Sequence, residues 1–218
     1  MKSKHTIKEL ANIREEYGND KLLEHDISLN PLRQFEIWLN DYAQSEPNTP
    51  NAMVLSTVDE HGFPDSRVVL LKGLDKDTFV FYTNYYSAKG LQLDFNPKAA
   101  LNFYWPLQMR QVRIRGYIDK VSDKMADEYF HSRPVDSQLS AIASPQSREI
   151  SGRDELCADF NKLKEQFTGK EIHRPEYWGG YQLTPIEVEF WQGRDNRLHD
   201  RIKYYYKNNT WSICRLAP

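Results

Sequence analysis

Apolar residues near the start of the chain recur every three or four positions, which is the spacing of one face of an α-helix. The first series is Ile7, Leu10, Ile13 and Tyr17, and the second is Leu32, Phe35, Trp38, Leu39 and Tyr42. Pro31 suits the first turn of the second helix, because an N–H is not needed there. We therefore predict a helical region over residues 1–45, followed by a linker.

From residue 52 onward the pattern changes to short apolar runs separated by turn residues, which is typical of β-strands. The predicted strands cover residues 52–58, 66–72, 78–82, 101–105, 111–120, 181–191, 201–206 and 210–215. Along 111–120, Val112 and Ile114 alternate with Arg113 and Arg115, so one face is predicted to be buried and the other wet or ligand-facing. A short helix over 87–95, capped by Ser87, interrupts the strands.

Helical spacing returns between residues 122 and 170, where it predicts a helical insertion. Its apolar positions include Met125, Tyr129, Leu156, Phe160, Leu163 and Phe167. Many short strands with helices at one end and one insertion favour an antiparallel barrel over a parallel sheet. The predicted fold is therefore α+β, mainly antiparallel β, with all 218 residues in one domain.

The overall charge is nearly balanced, with 29 Lys and Arg against 31 Asp and Glu and a net charge of −2. No general field favours nucleic acid or an anionic membrane, so any selectivity for anions must be local. Cys157 and Cys214 are far apart in sequence, which argues against a disulfide framework or a zinc site. With no signal peptide or bilayer-spanning segment apparent, we expect a soluble cytoplasmic protein.

Cations placed within apolar strands are costly to bury without an anion, and they indicate a phosphorylated ligand. Arg67 and Lys72 lie five positions apart, on opposite faces of an extended strand. One phosphate therefore contacts both only if the strand bends or ends between them. The alternative is that both are edge charges that reach water.

Two further segments are candidates for binding phosphate. Residues 82–89 run from strand hydroxyl groups into a helix N-terminus, where backbone N–H groups and Lys89 attract anions, although Ser87 also reads as an ordinary cap. Tyr129, Arg133 and Ser137 follow at intervals of four, so their donors converge if the helix persists. Alternatively, these are ordinary polar side chains exposed on the surface.

The segment 191–201 carries Arg197, His199 and Arg201 at alternating positions, which share one side if the chain is extended. Like charges so placed repel one another unless an anionic or electron-rich group lies among them. A histidine with an ordinary pKa of about 6.5 can act as proton carrier or donor. The chain lacks the glycine-rich Rossmann and Walker motifs, His-Glu-x-x-His and Gly-x-Ser-x-Gly, so those enzyme classes have no support.

Several short sequence strings occur in order along nearly the whole chain: Arg-Glu-Glu-Tyr (14–17), Arg-Val-Val-Leu-Leu-Lys (67–72), Phe-Tyr-Thr-Asn (81–84), Tyr-Phe-His-Ser-Arg-Pro-x-Asp-Ser (129–137), Phe-Trp-Gln-Gly (190–193), Arg-Leu-His-Asp-Arg (197–201) and Arg-Leu-Ala-Pro (215–218). In these strings the chain resembles the pyridoxine/pyridoxamine 5′-phosphate oxidase family nearly from end to end. The resemblance implies an FMN-binding split β-barrel that forms a homodimer, with flavin in a cleft between subunits.

It also implies the roles of individual residues. FMN would be held by Arg67, Lys72, Tyr82, Thr83, Lys89, Gln111, Gln146, Ser147, Trp191 and Arg201. The substrate phosphate would be held by Lys72, Tyr129, Arg133 and Ser137. Arg197 and His199 would be the catalytic pair, covering the pyridine ring opposite the flavin, and Arg14 to Tyr17 would form a mobile lid over the substrate.

The implied reaction oxidises pyridoxamine or pyridoxine 5′-phosphate to pyridoxal 5′-phosphate, with O2 as acceptor and H2O2 as product. Alternatives are a related split-barrel flavin oxidase acting on another aromatic compound, as in phenazine assembly, and a non-catalytic carrier of pyridoxal phosphate or flavin. The sequence departs from the family at Ala88, where Ser-Arg-Lys is usual. Because one cation is missing there, we predict weaker FMN binding without its loss.

Overall fold

A computed structural model describes residues 20–218, and it contains five helices and nine strands within that range. The helices are α1 (Pro31–Ser45), α2 (Ala88–Phe95), α3 (Asp123–Ser132), α4 (Val135–Ala143) and α5 (Arg153–Gln166). The strands are β1 (Ala52–Val58), β2 (Pro64–Leu70), β3 (Gly73–Asp75), β4 (Thr78–Asn84), β5 (Lys98–Trp105), β6 (Arg110–Lys120), β7 (Trp178–Gln192), β8 (Asp200–Lys207) and β9 (Thr210–Leu216).

The strands form one antiparallel sheet in the order β2-β1-β5-β6-β7-β4-β3, with β8 and β9 added beside β7. The sheet is curled into a half-barrel, which confirms the predicted fold class. Hairpins join β1 to β2 and β8 to β9. Asn208 and Asn209, at the second hairpin turn, both have positive φ angles, as a tight hairpin turn requires.

Helix α1 packs its apolar face on the concave side of the sheet. Asn30 caps it by accepting hydrogen bonds from the backbone N–H groups of Leu32 and Arg33. The Phe35 ring lies 5.1 Å from Phe79, and the Trp38 ring lies 5.1 Å from Phe190. Burial of each such ring stabilises the fold by about 1.5–3 kcal/mol, so the amphipathic pattern read from the sequence accounts for this helix.

The predicted insertion is confirmed as helical, but it is divided into α3, α4 and α5. Pro134 separates the first two, because the residue before a proline avoids helical backbone, and Arg133 has φ −77° and ψ 148°. The insertion has its own apolar cluster, in which Phe130, Leu139 and Ile172 pack with Trp178 of β7. Trp178 therefore links the insertion to the sheet.

Several boundaries differ from the sequence predictions. Strand β2 covers Pro64–Leu70 in place of 66–72, so it ends before Lys72, and β7 begins at Trp178 in place of residue 181. Residues 20–30 contain turns and bends in place of the predicted helix. The helical series from Ile7 to Tyr17, with the proposed lid, lies outside the described residues. Over 20–218, no helix has the length and apolar character needed to cross a membrane.

Candidate active site

The main cavity of the described chain lies between β2, β4 and the helical insertion, and its volume is about 1190 Å³. A volume of this size accommodates a cofactor together with a small substrate. Nine of the residues singled out from the sequence line it, namely Arg67, Lys72, Tyr82, Thr83, Lys89, Tyr129, Arg133, Ser137 and Gln146. The fold thus brings together three segments that are widely separated in sequence.

Arg67 and Lys72 both line this cavity because β2 ends between them. After Leu70 the chain turns, and the Lys72 backbone N–H donates to the Val80 carbonyl of β4 over 2.8 Å. The strand thus ends between Arg67 and Lys72, which is the condition under which both cations reach one ligand. The end of the strand, more than its alternation, determines where Lys72 lies.

Arg67 has an anionic partner within the chain, so its burial does not by itself require a ligand anion. Its guanidinium forms an ion pair with Asp65, and it also donates to Thr57 Oγ1 over 2.6 Å and to Gln92 Oε1 over 3.0 Å. The Gln92 hydrogen bond, and the nearby Arg67 charge, hold the pKa of Asp65 below its usual value. Arg67 is thus a preorganised cation, already compensated within the chain.

Lys89 has a different environment. Only 8% of the residue is exposed, and its ammonium donates to Thr83 Oγ1, Ser87 Oγ and Gln146 Oε1 at 3.2, 3.1 and 2.9 Å. These acceptors are neutral, and no carboxylate pairs with Lys89 in the described part of the chain. Burial, with the Arg67 charge nearby, lowers the pKa of Lys89 to about 8. An anion placed here would stabilise the charged form.

Arg133 lies at the other end of the cavity, beside a stack of aromatic rings. The rings of Tyr82 and Tyr129 are 3.8 Å apart and nearly parallel, and the Trp178 ring is nearly parallel to both, at 5.7 Å from Tyr82 and 6.2 Å from Tyr129. The Arg133 guanidinium lies 4.7 Å from the Trp178 ring centre. Its buried Nη1 has no hydrogen-bond partner, and burial lowers the pKa of this arginine. A buried donor without an acceptor is costly, which indicates a ligand oxygen.

A second group of candidate residues lies on the convex face of the sheet. Tyr104, Gln111, Trp191 and Arg201 are successive cross-strand neighbours on β5, β6, β7 and β8. The residues adjacent to them in sequence, Phe103, Val112, Phe190 and Ile202, are fully buried on the opposite face. Gln111, Trp191, Arg197, His199 and Arg201 do not line the main cavity. The candidate set is therefore divided between the main cavity and this separate row of the sheet.

The extended chain that would place Arg197, His199 and Arg201 on one side is not present at Arg197. Residues 195–197 form a short 3-10 turn, and Asn196 and Arg197 have positive φ angles of 57° and 59°. Arg201 already has an anionic partner, because its guanidinium pairs with Glu189 at 2.9 Å. Mutual repulsion in this segment therefore does not require a ligand.

His199 is oriented by the same turn. The Arg194 backbone N–H donates to His199 Nδ1 over 3.0 Å, and the Trp191 ring lies 4.7 Å from the imidazole. A ring nitrogen that accepts a hydrogen bond carries no proton, so the proton of the neutral ring is on Nε2. Burial and the Arg197 charge lower the pKa of His199, which favours this neutral form.

Family models match most of the chain. A model described as pyridoxamine 5′-phosphate oxidase matches residues 39–167, and one described as the pyridoxine 5′-phosphate oxidase C-terminal dimerisation region matches residues 178–218. This chain belongs to the pyridoxamine 5′-phosphate oxidase family.

Curated relatives of the oxidase family agree with that assignment. The chain is 56% identical over 209 residues to the pyridoxine/pyridoxamine 5′-phosphate oxidase of Legionella pneumophila (strain Lens), covering 96% of this chain and 97% of that one. It is 49% identical over 211 residues to the enzyme of the same name from Pseudomonas putida (strain GB-1), covering 96% and 98%.

Solved structures show the same fold. PhzG from Burkholderia lata 383, in complex with tetrahydrophenazine-1-carboxylic acid, has a TM-score of 0.85 and 29% identity, over 91% of this chain and 98% of its own. An FMN-binding protein from Nostoc punctiforme, related to pyridoxamine 5′-phosphate oxidase, has a TM-score of 0.69 and 19% identity, over 88% and 100%. The half-barrel is thus the split barrel of this oxidase family.

The residue that departs from the family pattern lies beside a second, smaller cavity. This cavity of about 380 Å³ is lined by Tyr86, Ala88, Leu91, Ser147 and Arg148. Ser147 has a positive φ of 70°, and it follows Gln146, which lines the main cavity. Ala88 and Ser147 therefore lie next to the Lys89 cluster, on its outer side.

Some residues of the site were missed by the sequence reading. Trp178 stacks beneath Tyr82 and Arg133, and Thr57 and Gln92 hold Arg67. For Trp178 the sequence did contain a signal, because this tryptophan lies directly before Gly179 and Gly180 at the start of a strand. Thr57 and Gln92 carry no such signal, since only the packing of α2 on β1 brings them to Arg67. Arg14 and Tyr17 lie outside the described residues.

Proposed function

We propose that this chain is an FMN-dependent oxidase that converts pyridoxamine or pyridoxine 5′-phosphate to pyridoxal 5′-phosphate, with O2 as electron acceptor and H2O2 as product. The observation that carries the proposal is that one cavity contains two incompletely compensated cations, Lys89 and Arg133, with an aromatic stack beside Arg133. Two anionic ends and a planar ring system match that arrangement. The relatives named as oxidases support the substrate class.

The residues around Lys89 fit the phosphate of FMN. Lys89 supplies a buried charge with neutral partners, and Arg67 supplies a second cation held in place by Asp65. Thr83 and Gln146 add hydrogen-bonding groups beside the ammonium. When bound, FMN supplies the hydride acceptor for the substrate C4′ carbon and the route of the electrons to O2. The protein binds, orients and excludes water.

The other end of the cavity fits the substrate phosphate. Arg133 offers its unpartnered Nη1, and Tyr129 and Ser137 offer hydroxyl groups on the same wall. Lys72 lines the cavity on the facing side. Anchoring the phosphate at a fixed distance from the flavin site orients C4′, and such orientation contributes several kcal/mol to lowering a barrier.

A homodimer would complete the site. Tyr104 is 56% exposed on the convex face, in the same row as Gln111, Trp191 and Arg201, and Val68 of β2 is 68% exposed. In a dimer these exposed side chains would be covered. The family model that covers β7 to β9 describes a dimerisation region. In the proposed dimer, the convex face of one subunit brings Gln111, Trp191 and Arg201 to the FMN bound in the cavity of the other.

Arg197 and His199 are proposed to contact the substrate ring. His199 Nδ1 accepts a hydrogen bond from the Arg194 backbone, so in the neutral ring the proton is on Nε2. Arg197 would add a positive charge beside the ring. Together they would hold the pyridine ring over the flavin without taking part in electron transfer.

The proposal is tested by the absorbance of purified protein loaded with FMN, followed by anaerobic addition of pyridoxamine 5′-phosphate. The expected result is a yellow protein that bleaches on addition and recovers colour with H2O2 release when O2 is admitted. A protein that cannot be loaded with FMN would contradict the proposal. A loaded protein that does not bleach would instead support a carrier.

A second oxidase function is favoured by one observation, the similarity to PhzG. The compound in that complex has a carboxylate and no phosphate. Arg133, Tyr129 and Ser137 distinguish the two functions, because all three line the cavity and offer donors that suit a phosphate. Faster turnover of a phosphate-free tricyclic substrate than of pyridoxamine 5′-phosphate would favour the PhzG-like function.

A further inference from the structure

Asp200 is a meeting point for three separate segments of the chain. Its Oδ2 accepts a hydrogen bond from the Leu22 backbone N–H at 3.1 Å and one from Arg194 Nη1 at 3.2 Å. Its Oδ1 accepts from Arg215 Nη1 at 2.6 Å. Only 14% of the Asp200 side chain is exposed, so both oxygens are engaged and largely shielded from water.

Arg215 extends this contact to the segment 22–24. Its guanidinium donates to the Leu22 carbonyl at 2.8 Å and makes a bidentate pair with Glu24 at 2.7 and 2.9 Å. This pair holds the pKa of the Glu24 carboxyl well below its usual value, at about 2. Strand β9 and the segment 22–24 are therefore tied together through Arg215.

Arg194 extends the contact in the other direction, to the turn that carries Arg197 and His199. Its side chain pairs with Asp200, while its backbone N–H orients His199 Nδ1. The turn holds Asn196 and Arg197 at positive φ, a conformation that costs free energy in residues other than glycine. Such a conformation persists only when surrounding contacts impose it. Asp200 supplies one of those contacts at the end of the turn.

We propose that Asp200 is a positioning residue for the turn 194–199. Through Arg194, it connects this turn to the segment 22–24, which Arg215 binds. The proposal rests on the proposed function, in which Arg197 and His199 contact the substrate ring. It assigns to Asp200 no contact with substrate or cofactor. Its effect is to keep Arg197 and the imidazole of His199 in one orientation before the substrate binds.

The alternative is that Asp200 only stabilises the fold. Exposed ion pairs contribute little, but removing the central partner of a shielded cluster leaves Arg194 and Arg215 without their shared acceptor. A positioning role and a purely structural role differ in their effect on substrate binding. The structure offers a matched control in Glu187, a carboxylate of the same sheet that also pairs with two cations, Lys203 at 2.9 Å and Arg115 at 3.0 Å.

The test compares Asp200→Asn with Glu187→Gln in the FMN-loaded protein. Asparagine keeps the shape of the side chain but presents an NH2 group to donors. We expect Asp200→Asn to raise KM for pyridoxamine 5′-phosphate about tenfold, because it weakens a charge-assisted contact. The affinity for FMN should stay within about twofold of that of the parent protein. Glu187→Gln should leave KM unchanged, although it should lower thermal stability about as much as Asp200→Asn does. Nitrogen-15 NMR of His199 should show loss of the single Nε2–H tautomer only in the first variant.

Arg194→Met provides a second route if Asp200→Asn folds poorly. It keeps Asp200, Arg215 and Leu22 together and removes only the connection to the turn. We expect the same rise in KM, and no further rise in the double variant, because both changes act through one contact. An unchanged KM in a folded Arg194→Met or Asp200→Asn protein, or equal KM changes in Glu187→Gln, would overturn the proposal. If the parent protein fails to bleach with substrate, the proposed function fails instead.

Discussion

The Lys89 ammonium lies 2.9 Å from Oε1 of Gln146, and its hydrogen-bond acceptors are all neutral. The two residues belong to distant parts of the chain, α2 and the loop after α4. A buried cation held by neutral groups retains a net charge that is available to a ligand. The FMN phosphate is the proposed ligand, and the consequences can be measured by binding alone.

FMN affinity is expected to depend on pH through Lys89. Its pKa is lowered to about 8, so the apoprotein loses this proton as pH rises above 8. Binding a phosphate then requires reprotonation, and affinity should fall by up to about tenfold per pH unit. Quenching of FMN fluorescence between pH 7 and 9.5 measures this change in affinity. The same lowered pKa means that the unfolded apoprotein holds more protons in this range, so the Lys89 contribution to unfolding free energy rises with pH.

Two variants separate Lys89 from general charge effects. Lys89→Met should bind FMN weakly, with affinity independent of pH across this range. Lys98→Met, which removes an exposed lysine of β5, should retain the parent pH profile. A pH-dependent affinity that survives in Lys89→Met would assign the effect to another group.

Arg133→Met is expected to impair substrate binding and to leave FMN binding intact. Losing a charge-assisted hydrogen bond costs about 1.5–3 kcal/mol, which corresponds to a rise in KM of about 10- to 100-fold. Steady-state oxidation of pyridoxamine 5′-phosphate measures it. Oxidation of phosphate-free pyridoxamine serves as the control, since its rate should change little. Equal losses with both substrates would place Arg133 elsewhere in the mechanism.

Ala88→Arg is expected to tighten FMN binding. Position 88 lines the smaller cavity beside Ser147 and Arg148, next to the Lys89 cluster, and a guanidinium there would add a charge near the proposed phosphate. The position is exposed, so screening limits the gain to about three- to tenfold. Titration of the apoprotein with FMN at low and high salt measures it. Ala88→Gln has similar length without charge, and if it tightened binding equally, charge would not be the cause.

His199 is expected to remain neutral at pH 7. Burial and Arg197 lower its pKa from the ordinary 6.5, so it protonates only at more acidic pH than an unfolded histidine. Protonation breaks the hydrogen bond from the Arg194 backbone, so KM should rise as pH falls through this lowered pKa. The unfolding free energy should decrease as pH falls below the unfolded value of 6.5, because the unfolded chain then binds the proton first. Histidine NMR against the urea-unfolded chain measures the midpoint, and a midpoint at or above the unfolded value would disprove the expectation.

Subunit complementation is expected if the site is shared across a dimer. Lys89→Met removes a cavity residue and Arg197→Met removes a residue of the turn, and each alone should have low activity. In a mixed dimer, one of the two sites receives both native residues. Coexpression with two affinity tags isolates mixed dimers, which should regain about half of the parent activity. If they remain as inactive as the single variants, the cavity and the turn do not act across subunits.

Local pattern was sufficient for most of the secondary structure. The spacing of Leu32, Phe35 and Trp38 predicted α1, and the alternation of Val112 and Ile114 with Arg113 and Arg115 predicted the faces of β6. These predictions depend only on the period of side chains along a helix or strand, which is a property of neighbouring residues. The resemblance of several strings to one oxidase family supplied the candidate residues, and the fold places nine of them in one cavity.

Tertiary structure decided which cations are available to a ligand. In the sequence, Arg67 and Arg201 could not be distinguished from Lys89 and Arg133 as candidate anion-binding cations. In the structure, Arg67 pairs with Asp65 and Arg201 pairs with Glu189. Within residues 20–218, no carboxylate pairs with Lys89 or Arg133. The turn at Arg197 and the separation of Trp191 from the main cavity likewise became visible only in the folded chain. The physical reason is that ion pairing and desolvation depend on distance in space, and the sequence order of charges does not determine which of them meet.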